Sequence, residues 1–205
     1  MLKLYYSKGS SAIAAHILLE EVGADYDAIE VSIAKGAHRN PEFLSRNPKG
    51  RIPVLETPDG VITENPAILE YIATTHPDAG LLPKSAFEQA QARSLAAYLC
   101  ATVHVAFAHH KRGARWAETT RALSEMRSLA PKNLRECAAY LEAELALSPW
   151  ALGSKYSFCD PYLFLLDGWL RATGSDLSGL PRLSAHNQTM HARPAVQTVL
   201  AAHRT

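Results

Sequence analysis

KLYYSKGSSAIAAHILL, residues Lys3–Leu19, is the stretch on which the fold turns. A short apolar strand carries Leu2, Leu4 and Tyr6 on one side and runs into a turn of Ser, Lys and Gly. A helix then opens at Ser10-Ser11, and Ile13, Ile17 and Leu18 recur at the spacing of a buried helical face. A strand that delivers hydroxyls and free backbone N–H groups to a helix start makes an anion site, because the unpaired N–H groups and the helix dipole both favour negative charge there. If the anion is a thiolate, hydroxyl donors beside it stabilise it and lower its pKa. Serine is also an ordinary helix cap, and that simpler role accounts for Ser10 and Ser11 without any ligand.

Outward from this segment the element types alternate. Strand Leu2–Tyr6 and helix Ser11–Val22 are followed by a strand over Ala28–Ser32 (AIEVS) and a short helix over Pro41–Arg46 with Asn40 as its cap. In RIPVLETPDGVITEN, Arg51–Asn65, the residues Ile52, Val54 and Leu55 predict a strand, Asp59-Gly60 a two-residue hairpin turn, and Val61-Ile62 the returning strand. Thr63-Glu64-Asn65 then caps a helix from Pro66 to His76, with proline favoured at its first position. The order βαβαββα predicts a mixed sheet with helices on both faces. PDAGLLPK, Pro77–Lys84, has the composition of a linker, and after it strand signals cease. Helical periods cover Phe87–Phe107, Glu118–Ser128, Asn133–Ala146, Asp160–Thr173 and Pro194–His203. The expected organisation is an α/β domain over residues 1–78, a linker over 79–86 and an all-helical domain over 87–205.

Composition removes several function classes. The 21 basic and 20 acidic residues leave a net charge of +1, which offers nothing to nucleic acid or to an anionic membrane surface. The apolar runs are too short for a transmembrane helix, and the N-terminus lacks a signal-peptide layout. Cys100, Cys137 and Cys159 are odd in number and widely spaced, so neither a disulfide framework nor a zinc site is expected, and a reducing, cytoplasmic setting is the default.

Four local signals carry more than one meaning. Pro53 sits inside an apparent strand, where it removes a ladder hydrogen bond; an edge strand tolerates it, and a cis bond at Ile52–Pro53 would instead free the backbone of Ile52 for a ligand. Glu64-Asn65 is either a plain cap or a grip on an amino-acid group, with carboxylate on the helix N–H groups and ammonium on Glu64. Ser157-x-x-Asp160, a capping box before the apolar run Tyr162–Leu166, is either a folding signal or part of an active site, and the folding signal is the preferred reading. HHKRGARW, His109–Trp116, is a basic helix end, either solvated or a lining for an acidic or polar substrate; Arg112 and Arg115 are its cationic candidates.

Together these segments resemble the glutathione transferases across nearly the whole chain. KLYYSKGSSAIAAH is similar to the opening strand and helix of the bacterial beta class, NPKGRIPVL to the segment with the family's cis-proline, TENPAILEYIA to the start of the glutathione-binding helix, and YSFCDPYLF to the C-terminal capping box. The resemblance implies a thioredoxin-like N-terminal domain, an all-helical C-terminal domain carrying the second-substrate site, glutathione as co-substrate without a metal, and a cytoplasmic homodimer with a detoxifying role. Under it, Ile52 pairs with the peptide backbone of glutathione, Pro53 holds the turn, Glu64 and Asn65 grip the γ-glutamyl end, and Lys35 and Arg51 complete the glutathione set. Ser11 falls where the beta class has cysteine, Ser10 aligns with the serine of the delta and theta classes, and Tyr6 matches a beta-class tyrosine. All three are candidate donors to the thiol, with Ser11 first; core packing is the other role open to Tyr6. His104, Phe107 and Arg112 are expected in the second-substrate site.

The departures from the beta class are Lys8 in place of the usual proline, Val105 in place of lysine and Ala97 in place of asparagine. Without cysteine at positions 10 and 11, chemistry through a protein–glutathione disulfide is disfavoured. The expected activity is attack of a bound thiolate on an electrophilic small molecule. A glutathione-dependent isomerase, dehalogenase or peroxidase on the same fold, and a non-catalytic glutathione carrier, are the alternatives.

Overall fold

The computed structural model describes Met1–Arg204, and the chain divides into two compact units. The first comprises Met1–Pro83 together with the segment from Met190 onward, and the second is Lys84–Thr189.

In the first unit, β1 (Leu2–Tyr6), β2 (Tyr26–Glu30), β3 (Val54–Thr57) and β4 (Gly60–Thr63) form one sheet in the order β2-β1-β3-β4. β1 runs parallel to β2 and antiparallel to β3, and β3 pairs antiparallel with β4. The helices of this unit are α1 (Ala12–Glu21), α2 (Pro41–Arg46), α3 (Asn65–Thr75) and, from the C-terminus, α9 (Pro194–Ala202). The mixed βαβαββα sheet expected from the sequence is therefore the one observed.

Strand alternation sends neighbouring tyrosines to opposite faces. Tyr5 joins Val31, Phe43 and Val54 in one cluster, meeting Phe43 of α2 edge-on at 6.2 Å. Tyr6 packs on the other face against His16 of α1, and α1 in turn packs against α3 and α9. The turn from β1 into α1 is closed by Ser10 N–H donating to Ser7 O at 3.0 Å, with Gly9 at φ 66 in its third position. A type II turn requires positive φ there, and nothing crowds the site, so backbone freedom is what selects glycine.

The strand bounds and the hairpin loop differ from the sequence expectation: β2 ends at Glu30 and not at Ser32, and β3 starts at Val54, after Ile52. β2 begins at Tyr26, two residues before the AIEVS motif, because Tyr26 pairs with Leu2 and its hydroxyl is held by Glu20. The hairpin loop is Pro58-Asp59 and not Asp59-Gly60. Gly60 pairs with Thr57, whose hydroxyl donates to Gly60 O at 2.9 Å and accepts from Asp59 N–H at 3.2 Å, closing the loop one residue earlier.

The second unit is helical: α4 (Ala86–Tyr98), a π-helical segment over Leu99–Val103, α5 (His104–Arg112), α6 (Thr120–Glu144), α7 (Asp160–Ala172) and most of α8 (Pro181–His191). α4 starts in a full capping box between Ser85 and Glu88. α6 is one helix of 25 residues with Pro131 inside it, where the sequence suggested two. The capping box expected at α7 does not close: Cys159 holds the cap position without a side-chain bond, Ser157 Oγ accepts from Cys159 N–H, and Asp160 is a buried hub that accepts from Ala151 N–H (2.7 Å), Ser157 N–H (2.7 Å), Ser157 Oγ (2.8 Å) and His186 Nε2 (2.9 Å). No helix among the described residues is long and apolar enough to cross a membrane.

Candidate glutathione site

The two adjacent serines have different local roles. Ser10 Oγ accepts from Ala12 N–H at 3.3 Å, which satisfies one of the free donors of the first helical turn. Ser11 is the residue at which α1 begins, with φ −63 and ψ −7, and its side chain makes no capping hydrogen bond. Both are half-buried. Ser10 thus does the work of the cap, and the Ser11 hydroxyl is the one left at the positive end of the α1 dipole.

Tyr6 lies within the body of the unit. Its ring is 4.7 Å from that of His203 and 5.4 Å from that of His16, and burial, then Glu30, pushes its pKa up. Ser7, not singled out from the sequence, is buried and accepts from Ile33 N–H at 3.2 Å, tying the end of β1 to the loop after β2.

The loop before β3 is pinned by Asn47, which is 1% exposed. Its Nδ2 donates to Arg51 O at 2.8 Å and its Oδ1 accepts from Lys49 N–H at 3.2 Å. Gly50 (φ 60) closes this loop so tightly that a Cβ would stand 3.1 Å from His38 O and 2.9 Å from Arg39 Nη1. The loop leads into a cis bond at Ile52–Pro53, one of the two forms left open by the sequence. Ile52 is half-buried, and the Arg51 and Lys35 side chains are exposed. A second cis bond, Ser148–Pro149, lies in the helical unit and had no sequence signal.

Glu64 precedes α3 with φ 73 and ψ 125, and it is the one non-glycine residue with positive φ among those described. Backbone in this region costs about 1–3 kcal/mol and persists where surroundings enforce it. Lys49 supplies part of that enforcement: its ammonium donates to Thr63 Oγ1 at 2.7 Å and forms an ion pair with Glu64. Sequence reasoning missed Lys49, although its place in NPKGRIP, two residues before Arg51, was the available signal. Asn65 begins α3, buried, with Nδ2 donating to Ser11 O at 3.0 Å. That bond brings the starts of α1 and α3 together, so Ser10, Ser11, Glu64 and Asn65 form one cluster.

In the helical unit the three expected second-substrate residues also gather, around Trp169. His104 stacks on the indole at 4.8 Å and 22°, and Phe107 at 5.5 Å and 15°. Arg112 Nη2 donates to His104 Nε2 at 3.0 Å, and its guanidinium carbon is 5.8 Å from the centre of the Phe107 ring. A guanidinium only donates, so His104 carries its lone pair on Nε2 and its hydrogen on Nδ1, 3.5 Å from the Tyr162 hydroxyl. His109 packs edge-on against Trp116 at 4.6 Å, and the basic residues of HHKR lie in the last turn of α5, where cations suit the dipole. Among the described residues no group of three His, Cys, Asp or Glu could hold a metal ion.

Comparison with known proteins decides the family. Residues 1–74 match the model for the glutathione S-transferase N-terminal domain. Glutathione S-transferase GstA of Escherichia coli O157:H7 is 30% identical over 204 residues, covering 98% of each chain. The chain belongs to the glutathione S-transferase family. A glutathione transferase homologue from Sulfitobacter, crystallised with bound glutathione, is 37% identical with a TM-score of 0.95, covering 98% of both chains. A bacterial beta-class glutathione S-transferase from Sphingomonas chungbukensis is 34% identical over the same shares, with a TM-score of 0.85. The glutathione transferase fold, an α/β domain followed by a helical one, is the fold described above.

Proposed function

We propose that this chain is a cytoplasmic, homodimeric glutathione transferase in which Ser11, standing in the place of the beta-class cysteine, donates to the thiolate of bound glutathione. The observation that carries this assignment is the hydroxyl of Ser11, free of any capping bond at the start of α1 while Ser10 takes the cap. Residues 1–78 hold glutathione: Ile52 and Pro53 at its peptide backbone, Glu64 and Asn65 at the γ-glutamyl end, with Lys35 and Arg51 on its charged periphery. The helical part that follows the linker 79–86, without α9, carries the second-substrate site with His104, Phe107 and Arg112.

A free thiol has a pKa near 8.5, so at neutral pH only a few per cent is thiolate. One hydroxyl donor plus the end of a helix dipole contributes about 2–3 kcal/mol to the anion, or about two pKa units. Serine keeps its proton throughout and acts as a donor to sulfur. The sulfur lone pair forms the new carbon–sulfur bond, and the leaving group departs with the electron pair of the bond that breaks. Holding both reactants together supplies much of the remaining rate.

Thiolate absorbance of bound glutathione, titrated against pH, tests the assignment. Ser11→Ala is expected to raise the thiol pKa by about one unit or more, and Ser10→Ala by less. If neither changes it, the serine corner does not activate the thiol; a larger shift for Ser10→Ala reverses the order of the two.

A further inference from the structure

Arg112 is the last residue of α5, where a cation ordinarily serves the dipole and the unpaired carbonyls of the final turn. Its guanidinium lies back along the helix. Nη2 donates to His104 Nε2, eight residues earlier, at 3.0 Å, and the guanidinium carbon is 5.8 Å from the centre of the Phe107 ring. Both contacts orient the planar fork, and neither cancels its charge. The imidazole nitrogen that accepts is a neutral lone pair, and the phenyl ring is uncharged. Fixing an arginine costs side-chain entropy, so a charged fork held by two neutral partners is prepared for an anion.

The neighbouring rings say what that anion is joined to. The imidazole of His104 and the phenyl of Phe107 lie at 22° and 15° to the indole of Trp169. Trp169 is buried, whereas His104, Phe107 and Arg112 are half-buried. A ligand therefore meets an aromatic ring and a guanidinium side by side. A guanidinium takes a carboxylate through two parallel N–H···O bonds, and a phenyl ring suits another aromatic ring.

We propose that Arg112 is a specificity-determining residue and that the second substrate is an arene carrying a carboxylate, with the carboxylate on the guanidinium and the ring against Phe107. This inference rests on the transferase reading above and narrows its electrophile to an anionic aromatic class.

The test compares a chloronitrobenzoate with the matching neutral chloronitrobenzamide. In both, the sulfur lone pair of the bound thiolate forms the carbon–sulfur bond, and chloride leaves with the electron pair of the carbon–chlorine bond. Each kcat/KM is divided by the uncatalysed rate with glutathione, which removes the different reactivity of the two rings. The wild-type protein is expected to favour the benzoate by about tenfold or more. In Arg112→Gln that preference falls to about twofold or less, and in Arg112→Lys, which keeps the charge without the fork, part of it returns. Arg115→Gln, at the exposed part of the same basic segment, keeps it. A merely structural role for Arg112 would slow both substrates together and leave their ratio unchanged. Equal corrected rates in wild type, which needs no variant to fold, overturn the proposal, as does a preference that survives Arg112→Gln or is lost equally in Arg115→Gln. Glutathione bound in calorimetry with neither arene conjugated also overturns it and leaves the glutathione site standing. Failure to bind glutathione at all overturns the transferase reading itself.

Discussion

Glu64 occupies a backbone conformation that glycine adopts freely, and its substitution separates stability from binding. The strained torsions cost about 1–3 kcal/mol. Glycine removes that strain but adds about 0.5–1 kcal/mol of unfolded-state entropy. Its loss also deletes the ion pair with Lys49, in which both side chains are nearly half exposed, so that it contributes about 0–1 kcal/mol. These terms nearly cancel. Glu64→Gly is therefore expected to unfold in urea within about 1 kcal/mol of wild type while binding glutathione about tenfold more weakly. A loss of several kcal/mol in the urea experiment would mean that the backbone there is not strained. At this scale the sequence indicates where chemistry gathers but not how labour is divided. Ser10 and Ser11 are equivalent as letters, and only the torsions at the start of α1 give the cap to one of them. Lys49 looks like a solvated loop cation until the fold brings it to Thr63 and Glu64.

Among the elements, α7 depends most on one side chain. Asp160 is fully buried and joins α7 to the Ala151 and Ser157 backbone and, through His186, to α8. Asp160→Ala would leave two backbone donors and an imidazole without their acceptor. A loss of about 3–5 kcal/mol in denaturant unfolding is expected, against about 1 kcal/mol for an ordinary cap. A loss at the ordinary value would show that the hub relaxes or hydrates. The Ser157–Asp160 pairing at the start of this helix was legible, but its capping geometry and the partner His186 were not. Leu183, His186 and Met190 are the buried positions of α8, and a histidine in the middle of that stripe hides the helical period that would have revealed it. Pro131 misled in the opposite sense. Proline is the strongest local breaker, yet α6 runs through it, with Ala130, Leu134, Cys137, Ala138 and Leu141 buried along one face. Elements with a clean period and a local stop, such as β1 and α2, were legible to the residue. Those decided by a distant partner were not.

At the scale of the whole molecule, the chain's last helix belongs with its first. The sequence assigned residues 87–205 to a single helical body, since a helical period carries no information about which sheet or helix it will cover. In the structure α9 buries Val196 and Val199 and packs on α1. Two polar contacts fasten it: Arg193 to Glu21 at 2.5 and 2.6 Å, and His203 Nε2 to His16 Nδ1 at 3.0 Å. The imidazole pair is flanked by the rings of Tyr6 and Tyr26, with the charge of Glu20 acting on His16 and that of Lys8 on His203. Burial first, then His16 and Lys8, pushes the His203 pKa down to about 4. Burial also lowers that of His16, against a raising influence from Glu20. An unfolded histidine titrates near 6.5, so between about pH 6.5 and 4 the undocked chain binds more protons than the docked one. Stability of the α1–α9 contact therefore falls as pH falls through that window. Amide exchange in α9, corrected for the intrinsic pH dependence, is expected to show lower protection at pH 5 than at pH 7. In His203→Phe, which keeps a ring against Tyr6 but cannot be protonated, the difference between the two pH values shrinks by up to about tenfold per pH unit, the equivalent of one proton. Protection in α9 with the same pH dependence in both proteins would remove the histidine pair as the cause and leave the ion pair at Arg193, whose guanidinium stays charged across this range, as the remaining polar fastening.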